Sequence, residues 1–290
     1  MKTQYIEKKK WTKAVLELLQ KIIVIVEDYQ RQGYRMTLRQ LYYQLVSKEI
    51  IPNRQREYSK LSRILTEARM CGLIDWDFIE DRIRVPKFPN QFDDISDAMN
   101  TITQVYRLDR WNGQKNYVEV WVEKDALSGV LNPVTHKYHI HLLVNRGYSS
   151  ASAMHDSALR IGEQAVEKNC IILYFGDHDP SGEDMVRDIR DRMQTFGCNV
   201  IVKKVALTIM QVKQYHLPPN PAKLSDPRSG KYIDEYGNES WELDALPPDV
   251  LVKMVENEIM NTLNWSMMKK IIEQENVDKK RMKKFGNEED

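Results

Sequence analysis

Acidic side chains follow two apolar runs of this chain, and their placement is typical of a metal site. Glu123 comes directly after the run 117–122. Asp177 and Asp179 follow the run 170–175. Each run predicts a buried parallel strand, and ligands of open α/β sheets bind outside the carboxyl ends of the strands. We therefore expect the three carboxylates to converge and to need a counter-charge, for which Mg²⁺, replaceable by Mn²⁺, suits oxygen ligands.

The bulk composition is that of an ordinary globular protein. The chain has 290 residues, of which 42% are hydrophobic and 29% charged. No apolar run approaches the roughly 20 residues that cross a bilayer, and no signal-peptide pattern opens the chain. We expect a cytoplasmic protein without membrane contact. The three cysteines, Cys71, Cys170 and Cys198, lack CxxC spacing and are expected to be buried apolar residues rather than disulfides or zinc ligands.

The charge is unevenly distributed along the chain. Residues 1–92 contain 18 Lys and Arg against 11 Asp and Glu, a balance of +7, whereas the remainder has a balance of −6. A basic amino-terminal part followed by an acidic part fits a division between holding a polyanion and coordinating metal, although an uneven surface would give the same pattern.

Hydrophobic periodicity divides the chain into an all-α part and an α/β part. The pattern predicts three helices, at 11–29, 38–46 and 57–71, followed by two short wing strands, at 73–76 and 81–85. This order of elements is typical of a winged-helix arrangement. Strands that alternate with helices predict a small four-stranded parallel sheet, with the strands at 117–122, 139–144, 170–175 and 199–205. The predicted domains are a DNA-binding winged helix at 1–92, a linker helix at 93–116, a metal-binding α/β domain at 117–210 and a loop-rich and helical extension at 211–290.

Three motifs of the α/β part resemble those of a known family. The segments 122–126 (VEKDA), 146–148 (RGY) and 176–182 (GDHDPSG) are similar in order and spacing to the motifs of Toprim domains. The segment 37–43 (TLRQLYY) resembles the T-x-R-x-[LI]-[FY]-Y segment of the topoisomerase VI A subunit and the related meiotic double-strand-break transesterase. The resemblance covers roughly residues 35 to 205. His178, between the two aspartates, departs from the family pattern.

This resemblance implies a DNA strand transesterase of the type IIB topoisomerase A-subunit kind. In the family, the tyrosine equivalent to Tyr43 attacks double-stranded DNA and forms a 5′-phosphotyrosine link. The family also implies a homodimer in which Tyr43 of one protomer meets the Toprim pocket of the other, with Mg²⁺ at Glu123, Asp177 and Asp179. The chain has no Gly-rich ATP-binding motif, so strand passage would need a separate ATPase subunit. A nucleoid-associated location follows from such a role.

The residue chemistry is consistent with this role. A phenol with a pKa of about 10 is a poor nucleophile at neutral pH and needs a nearby cation or base. Arg39, four residues before Tyr43, shares its helix face and is a candidate to stabilise a phenolate or a phosphate. Glu123 is expected to complete the metal site or to carry the proton of the leaving 3′-oxygen. The candidate DNA contacts are Arg54, Arg56, Lys60, Arg63, Lys124 and Arg146, each of which is otherwise ordinary surface charge.

Two other functions remain open from the sequence. One is a Toprim nuclease that hydrolyses DNA with metal-activated water while Tyr43 is inert. The other is a non-catalytic winged-helix protein that binds DNA or a partner, with Tyr42 and Tyr43 as a structural pair. The pattern also leaves open whether Glu242 and Asp244 join the acidic pocket or only precede a helix.

Overall fold

A four-stranded sheet, all of its strands parallel, lies at the centre of the molecule in a computed structural model, which describes residues 4–7, 10–79, 89–145, 147–222 and 226–285. The strands are arranged in the order β2-β1-β3-β4. Their bounds are β1 Asn116–Val122, β2 His141–Val144, β3 Asn169–Phe175 and β4 Ile201–Ala206. The predicted parallel sheet is thus confirmed, with strand ends shifted by one or two residues.

The strand order places the candidate acids at a topological switch point. The chain passes from β1 to β2 on one side and then returns to β3 on the other side of β1. Val122 at the end of β1 pairs with Phe175 at the end of β3, so Glu123 and Asp177 leave the sheet at the same edge. The Glu123 N–H donates to the Phe175 carbonyl at 2.9 Å. Crevices at such points are where open α/β sheets bind ligands.

Eleven α-helices surround the sheet within the described residues. They are α1 Lys13–Arg31, α2 Leu38–Ser47, α3 Gln55–Met70, α4 Ile95–Val105, α5 Ser128–Tyr138, α6 Ala151–Ala165, α7 Pro180–Thr195, α8 Ile209–Gln214, α9 Ser229–Tyr236, α10 Pro248–Thr262 and α11 Trp265–Phe285. Helix α2 begins with a capping box, in which Thr37 and Gln40 exchange hydrogen bonds. None of the described helices has the length and apolar character needed to cross a bilayer.

Side-chain alternation along the strands produces two apolar layers. Val120 and Val122 face a large core that continues into α5 and α10 and through helices α1 to α3. Trp121, on the opposite face of β1, belongs to a second core formed with α6 and α7. The three amino-terminal helices therefore share one continuous core with the sheet rather than packing as a detached unit.

Several expected elements differ in the structure. Residues 73–76 do not form a wing strand; Trp76–Phe78 is a short 3₁₀ helix, and Ile79 makes only a single bridge to Met36. The second wing segment, 81–85, lies outside the described residues. The strand predicted from residue 139 begins at His141, because His139 ends α5 in the left-handed conformation with φ 54°. The three cysteines are buried and free, as predicted.

The carboxy-terminal part contains more structure than its sequence indicates. The first part of the predicted loop-rich extension includes α9 and a two-stranded antiparallel ribbon, β5 Asn220–Pro221 with β6 Glu239–Ser240. Helix α11 continues through the charged segment 279–284. Glu275, 1% exposed, binds Arg110 at 3.0 Å and Lys279 at 2.8 Å, which stabilises the last turns.

An ion pair with a fully buried carboxylate joins the sheet to α6. Glu119 of β1 is 0% exposed, and Arg160 donates to both of its oxygens at 2.8 and 2.9 Å. The Tyr117 hydroxyl and the Trp121 indole also donate to Glu119, at 2.7 and 2.8 Å. Because a buried charge requires full pairing, the four side chains form one structural unit.

Replacing Glu119 with alanine should therefore lower the free energy of unfolding by about 1–3 kcal/mol, because the Tyr117 hydroxyl and the buried Trp121 indole would lose their acceptor and the partly exposed Arg160 its partner. Urea denaturation measures this change. Glu17→Ala is the matched control: Glu17 is 60% exposed and 4.0 Å from Lys13, so its loss should change stability by about 0.5 kcal/mol or less. Equal effects of the two substitutions would contradict a structural role for the Glu119 pair.

Candidate functional site

A polar cleft of about 500 Å³ lies between helix α2, the start of α3 and the carboxyl end of β3. Its walls carry aromatic, amide, cationic and carboxylate side chains. The lining residues are Arg39, Tyr42, Tyr43, Asn53, Arg54, Gln55, Tyr58, Asp177, Asp179, Asn220, Pro221, Ser240, Trp241 and Glu242. The volume lies in the range of roughly 300–1,000 Å³ that is usual for small-ligand sites. The cleft thus brings the predicted tyrosine and two of the three predicted acids to one place.

The charges of the three acids all act on the hydroxyl group of Tyr174, but the acids have different local roles. Burial raises the pKa of Tyr174 well above its usual value, and the carboxylates of Glu123, Asp177 and Asp179 raise it further. Glu123 accepts hydrogen bonds from the Asp177 N–H at 3.0 Å and from the Tyr174 hydroxyl at 3.3 Å. Asp179 caps helix α7 by accepting from the Gly182 N–H at 2.6 Å. Glu123 therefore orients the Asp177 backbone and is not among the side chains that line the cleft.

Charged side chains from three segments meet beside Asp177. Lys124 Nζ lies 2.7 Å from Asp177 Oδ1 and 3.3 Å from Asp244 Oδ2, and it also contacts Glu242 Oε2. Arg39 lies 3.0 Å from Glu242 and 3.0 Å from Asp244. We refer to these five residues as the ion cluster. Lys124 and Arg39, predicted as phosphate contacts, are thus paired with carboxylates in this arrangement.

Burial and charge shift the pKa values within the ion cluster in opposite directions. Burial alone would lower the pKa of Lys124, but the carboxylates of Asp177, Asp244 and Glu242 raise it well above its usual value. Burial alone would raise the pKa of Glu242, but Lys124 and Arg39 lower it to about 2. Burial raises the pKa of Asp177 well above its usual range, even though Lys124 acts in the opposite direction. Lys124 and Glu242 are therefore charged at neutral pH.

The carboxy-terminal extension reaches the site through a two-residue bridge. His178 and Trp241 exchange two backbone hydrogen bonds of 2.9 Å in antiparallel fashion. The His178 ring, 1% exposed, stacks on Trp241 and contacts Tyr232 and Tyr236 edge-on. Two residues after Trp241, the backbone N–H of Leu243 donates to Asp177 Oδ1 at 2.8 Å. This bridge places Glu242 and Asp244 in the ion cluster.

The adjacent tyrosines of α2 differ in what their hydroxyl groups bind. Both side chains are buried, with Tyr42 4% and Tyr43 8% exposed. The Tyr42 hydroxyl donates to Asn53 Oδ1 at 3.0 Å and also lies 3.2 Å from the Arg54 carbonyl. The Tyr43 hydroxyl makes no hydrogen bond within the described part of the chain, and the Arg39 guanidinium lies 5.9 Å from its ring centroid. The two hydroxyl groups therefore differ: that of Tyr42 is held by its hydrogen bonds, whereas that of Tyr43 is not held by any described residue.

The surroundings of Tyr43 favour its neutral form. Burial raises the pKa of Tyr43 to about 12, and Glu242 raises it as well. Lys124 and Arg39 act in the opposite direction. Since both cations are already paired with carboxylates, they activate the phenol less than isolated cations would.

The predicted DNA contacts on α3 form a separate exposed surface. Arg56, Lys60 and Arg63 follow helical spacing on one face, and all three are exposed. Arg54 lines the cleft itself and has no ion pair with any described residue. Arg146 lies outside the described residues. These basic side chains are therefore arranged on the cleft rim and the adjoining helix, where a phosphate backbone can reach them.

The donor chemistry of the cleft fits a hard divalent cation that binds together with substrate. Asp177 and Asp179 line the cleft, and Mg²⁺ is usually held by one or two carboxylates plus substrate phosphates and water. No three His, Cys, Asp or Glu side chains of the described ranges are grouped so as to hold a metal ion by themselves. The Mg²⁺ or Mn²⁺ site expected at Glu123, Asp177 and Asp179 stays a prediction.

Comparisons with protein-family models, curated proteins and solved structures found no match to this chain. The side chains of the cleft are therefore the basis for any functional proposal.

The sequence did not establish that Glu242 and Asp244 belong to the site. Their i, i+2 spacing after Trp241 was visible, but nothing local indicated that Trp241 pairs with His178. Arg39 and Glu242 are 203 positions apart, a separation that no periodicity spans. The ion cluster is a product of tertiary structure.

The turn after Asp177 gives a stability test of the site geometry. A Cβ atom on Gly182 would lie 2.2 Å from the Asp177 carbonyl oxygen, so Gly182→Ala should destabilise the chain by about 1–3 kcal/mol. Gly162→Ala is the control, because Gly162 is also helical and a Cβ there meets nothing within 4 Å. That control should stabilise the chain by about 0.5–1 kcal/mol. Chemical denaturation of both variants checks the expected opposite signs.

The coupling between Glu242 and Tyr43 predicts a titration shift. Glu242→Gln should lower the pKa of Tyr43 below about 12, because a carboxylate that raises it is removed and two cations are freed. In the folded parent chain Tyr43 stays neutral as pH rises past about 10, where an unfolded tyrosine ionises. Its contribution to stability is therefore present below pH 10 and lost as pH rises toward 12. Carbon-13 NMR of Cζ-labelled tyrosine, with the Tyr43 signal assigned from Tyr43→Phe, measures the pKa.

Glu239→Gln is the charge-matched control for this titration. Glu239 lies in the same segment but contacts neither Arg39 nor Lys124 within the described chain. It should leave the Tyr43 pKa unchanged, and an equal shift in both variants would show that net charge alone, not the ion cluster, sets it.

Proposed function

We propose that this chain is a Mg²⁺-dependent DNA strand transesterase, similar in chemistry to the topoisomerase VI A subunit, in which Tyr43 forms a 5′-phosphotyrosine link. The observation that carries the proposal is the unbonded Tyr43 hydroxyl in a cleft that also holds Asp177 and Asp179. This hydroxyl shares the cleft with two carboxylates and a guanidinium, which are the kinds of group that phosphoryl transfer requires.

The cleft residues would take distinct parts in the reaction. Arg39 lies over Tyr43 and is placed to stabilise negative charge on a phosphoryl oxygen. Asp177 and Asp179 would hold Mg²⁺, which offsets charge on the transferred phosphoryl group when bound. Arg54, on the cleft rim, and Arg56, on the adjoining helix α3, would position the DNA backbone. Proton delivery to the 3′-oxygen by Glu123 stays a prediction, since Glu123 holds the Asp177 backbone in this geometry.

Hydrolysis by a metal-activated water is the second candidate function. It is favoured by the raised pKa of Tyr43, about 12, which leaves little phenolate at neutral pH. In that case Asp177 and Asp179 act with a metal and Tyr43 has no chemical role. A double-stranded DNA substrate and a separate ATPase subunit remain parts of the first proposal only.

Covalent trapping distinguishes the two functions. Supercoiled plasmid DNA is incubated with the chain and Mg²⁺ or Mn²⁺, denatured with detergent and assayed for DNA-bound protein. We expect an adduct on 5′ ends that falls by at least about 100-fold in Tyr43→Phe and in Asp177→Asn, as is usual when a nucleophile or metal ligand is removed. Tyr42→Phe should retain most of the adduct, because the Tyr42 hydroxyl is bound to Asn53.

Two outcomes would reject the transesterase. Free nicks that persist in Tyr43→Phe and are lost in Asp177→Asn support the nuclease. DNA binding without any cleavage by the parent chain leaves a non-catalytic DNA-binding role.

A further inference from the structure

The ammonium group of Lys124 is shared among three carboxylates. Lys124 follows Glu123 just beyond the end of β1, and its side chain is 14% exposed. Its Nζ lies 2.7 Å from Asp177 Oδ1 and 3.3 Å from Asp244 Oδ2, and it also contacts Glu242. An ammonium group has three N–H donors, so each of them can point to one carboxylate. Lys124 is therefore fully paired within the chain.

Lys124 lies behind the acids rather than in the cleft. Asp177 and Glu242 line the cleft, whereas Lys124 is not among the lining residues. Asp177 Oδ1 is occupied by Lys124 and by the Leu243 N–H, which donates at 2.8 Å. Asp177 Oδ2 makes no hydrogen bond or ion pair with any described residue. Lys124 thus holds one oxygen of Asp177 and leaves the other for a ligand that enters the cleft.

Asp179 shows the same division between a held and an open oxygen. Its Oδ1 accepts from the Gly182 N–H at 2.6 Å, and its Oδ2 has no partner in the described part of the chain. Two such carboxylates fit Mg²⁺, which is usually bound by one or two carboxylates plus substrate phosphates and water. A metal at Asp177 would share that carboxylate with the Lys124 ammonium, and two cations so close repel more strongly than in water. Lys124 therefore opposes metal binding in the empty cleft.

The charges around the cleft are close to balance before any ligand binds. Among the described residues that line the cleft, together with their ion-pair partners, carboxylates outnumber cations by one. The carboxylates are Asp177, Asp179, Glu242 and Asp244, and the cations are Arg39, Arg54 and Lys124. A divalent metal alone would leave one positive charge, and a phosphodiester alone would leave two negative charges. The two ligands together would leave none, so the charge balance favours their joint entry.

We propose that Lys124 is an internal counter-ion that keeps the affinity of the empty cleft for divalent metal low and raises its affinity for phosphate, so that the metal is taken up together with a DNA phosphodiester. Lys124 acts through Asp177 and is thus a positioning residue, not a catalytic one. This inference rests on the proposed function in taking metal and DNA as the ligands of the cleft. It involves no covalent step, and binding measurements test it.

The substitution Lys124→Met keeps the length of the side chain and removes its charge. We expect Mn²⁺ to bind this variant at least about tenfold more tightly than the parent chain, as measured without DNA by electron paramagnetic resonance of free Mn²⁺. We expect a short duplex oligonucleotide to bind about fivefold more weakly, as measured by fluorescence anisotropy in EDTA. Loss of folding would weaken both ligands and cannot produce these opposite signs. Unchanged or weaker Mn²⁺ binding would overturn the proposal.

Lys204→Met is the matched control for charge and burial. The Lys204 side chain is 11% exposed, and its Nζ lies 2.9 Å from the Asp177 backbone carbonyl and 2.6 Å from Glu183. Lys204 has no ion pair with the carboxylates of the ion cluster within the described chain. Its loss removes the same charge beside the same residue and should change Mn²⁺ affinity far less. Equal gains in the two variants would show that net charge alone sets metal affinity, which would also overturn the proposal.

The Tyr43→Phe chain tests joint binding with Lys124 in place, because it cannot form the covalent adduct. We expect the duplex oligonucleotide to bind this chain at least about tenfold more tightly with Mn²⁺ than in EDTA at matched ionic strength, a usual size for coupled binding. Adding Asp177→Asn should remove that gain. Equal affinity with and without Mn²⁺ would overturn the proposal, whatever the stability of Lys124→Met.

Failure of this inference can be told apart from failure of the proposed function. If the parent chain forms no covalent adduct while the binding results hold, the transesterase function fails and the role of Lys124 stands. If the adduct forms but Lys124→Met binds Mn²⁺ no more tightly than the parent, only the role of Lys124 fails.

Discussion

The burial of Lys124 is the constraint on which the site depends. An ammonium group removed from water requires carboxylates close by, and in this fold they come from two separate segments. Asp177 leaves the sheet beside Lys124, while Glu242 and Asp244 arrive from the extension. Arg39 adds a second cation from α2. Charge balance around one side chain thus sets the relative positions of the sheet edge, the extension and the helix that carries the candidate nucleophile.

The need to pair Lys124 also explains the structural role of the carboxy-terminal extension, residues 211–290. The His178–Trp241 bridge is the point where the extension joins the sheet edge, and Leu243 fixes one oxygen of Asp177 from the other side. Asp244 is 1% exposed, and within the described part of the chain it pairs with the two cations of the ion cluster. A chain that ended after β4 would leave Lys124 with one carboxylate instead of three. The extension is therefore part of the cleft and not an appendage.

Features set by local chemistry could be predicted from the sequence, whereas those set by long-range pairing could not. The acids after β1 and β3 follow from short-range patterns, and they were placed correctly along the chain. The prediction of a wing strand at 73–76 was wrong, because strand propensity in four residues is easily overridden by packing. The length of helix α11 likewise depends on a distant contact, because buried Glu275 binds Arg110 as well as Lys279 of its own next turn.

The pairing within the ion cluster also bears on how a phosphate could enter the cleft. Lys124 and Arg39 are already neutralised by carboxylates, and Tyr43 is neutral at physiological pH, with its pKa raised to about 12. A phosphodiester that enters adds negative charge beside Asp177 and Glu242, where like charges repel more strongly than in water. Arg54 on the rim is the cleft-lining cation without an ion pair in the described chain, and it supplies one positive charge. We infer that a phosphodiester substrate must either bind together with a divalent cation or replace Glu242 as the ion-pair partner of Arg39.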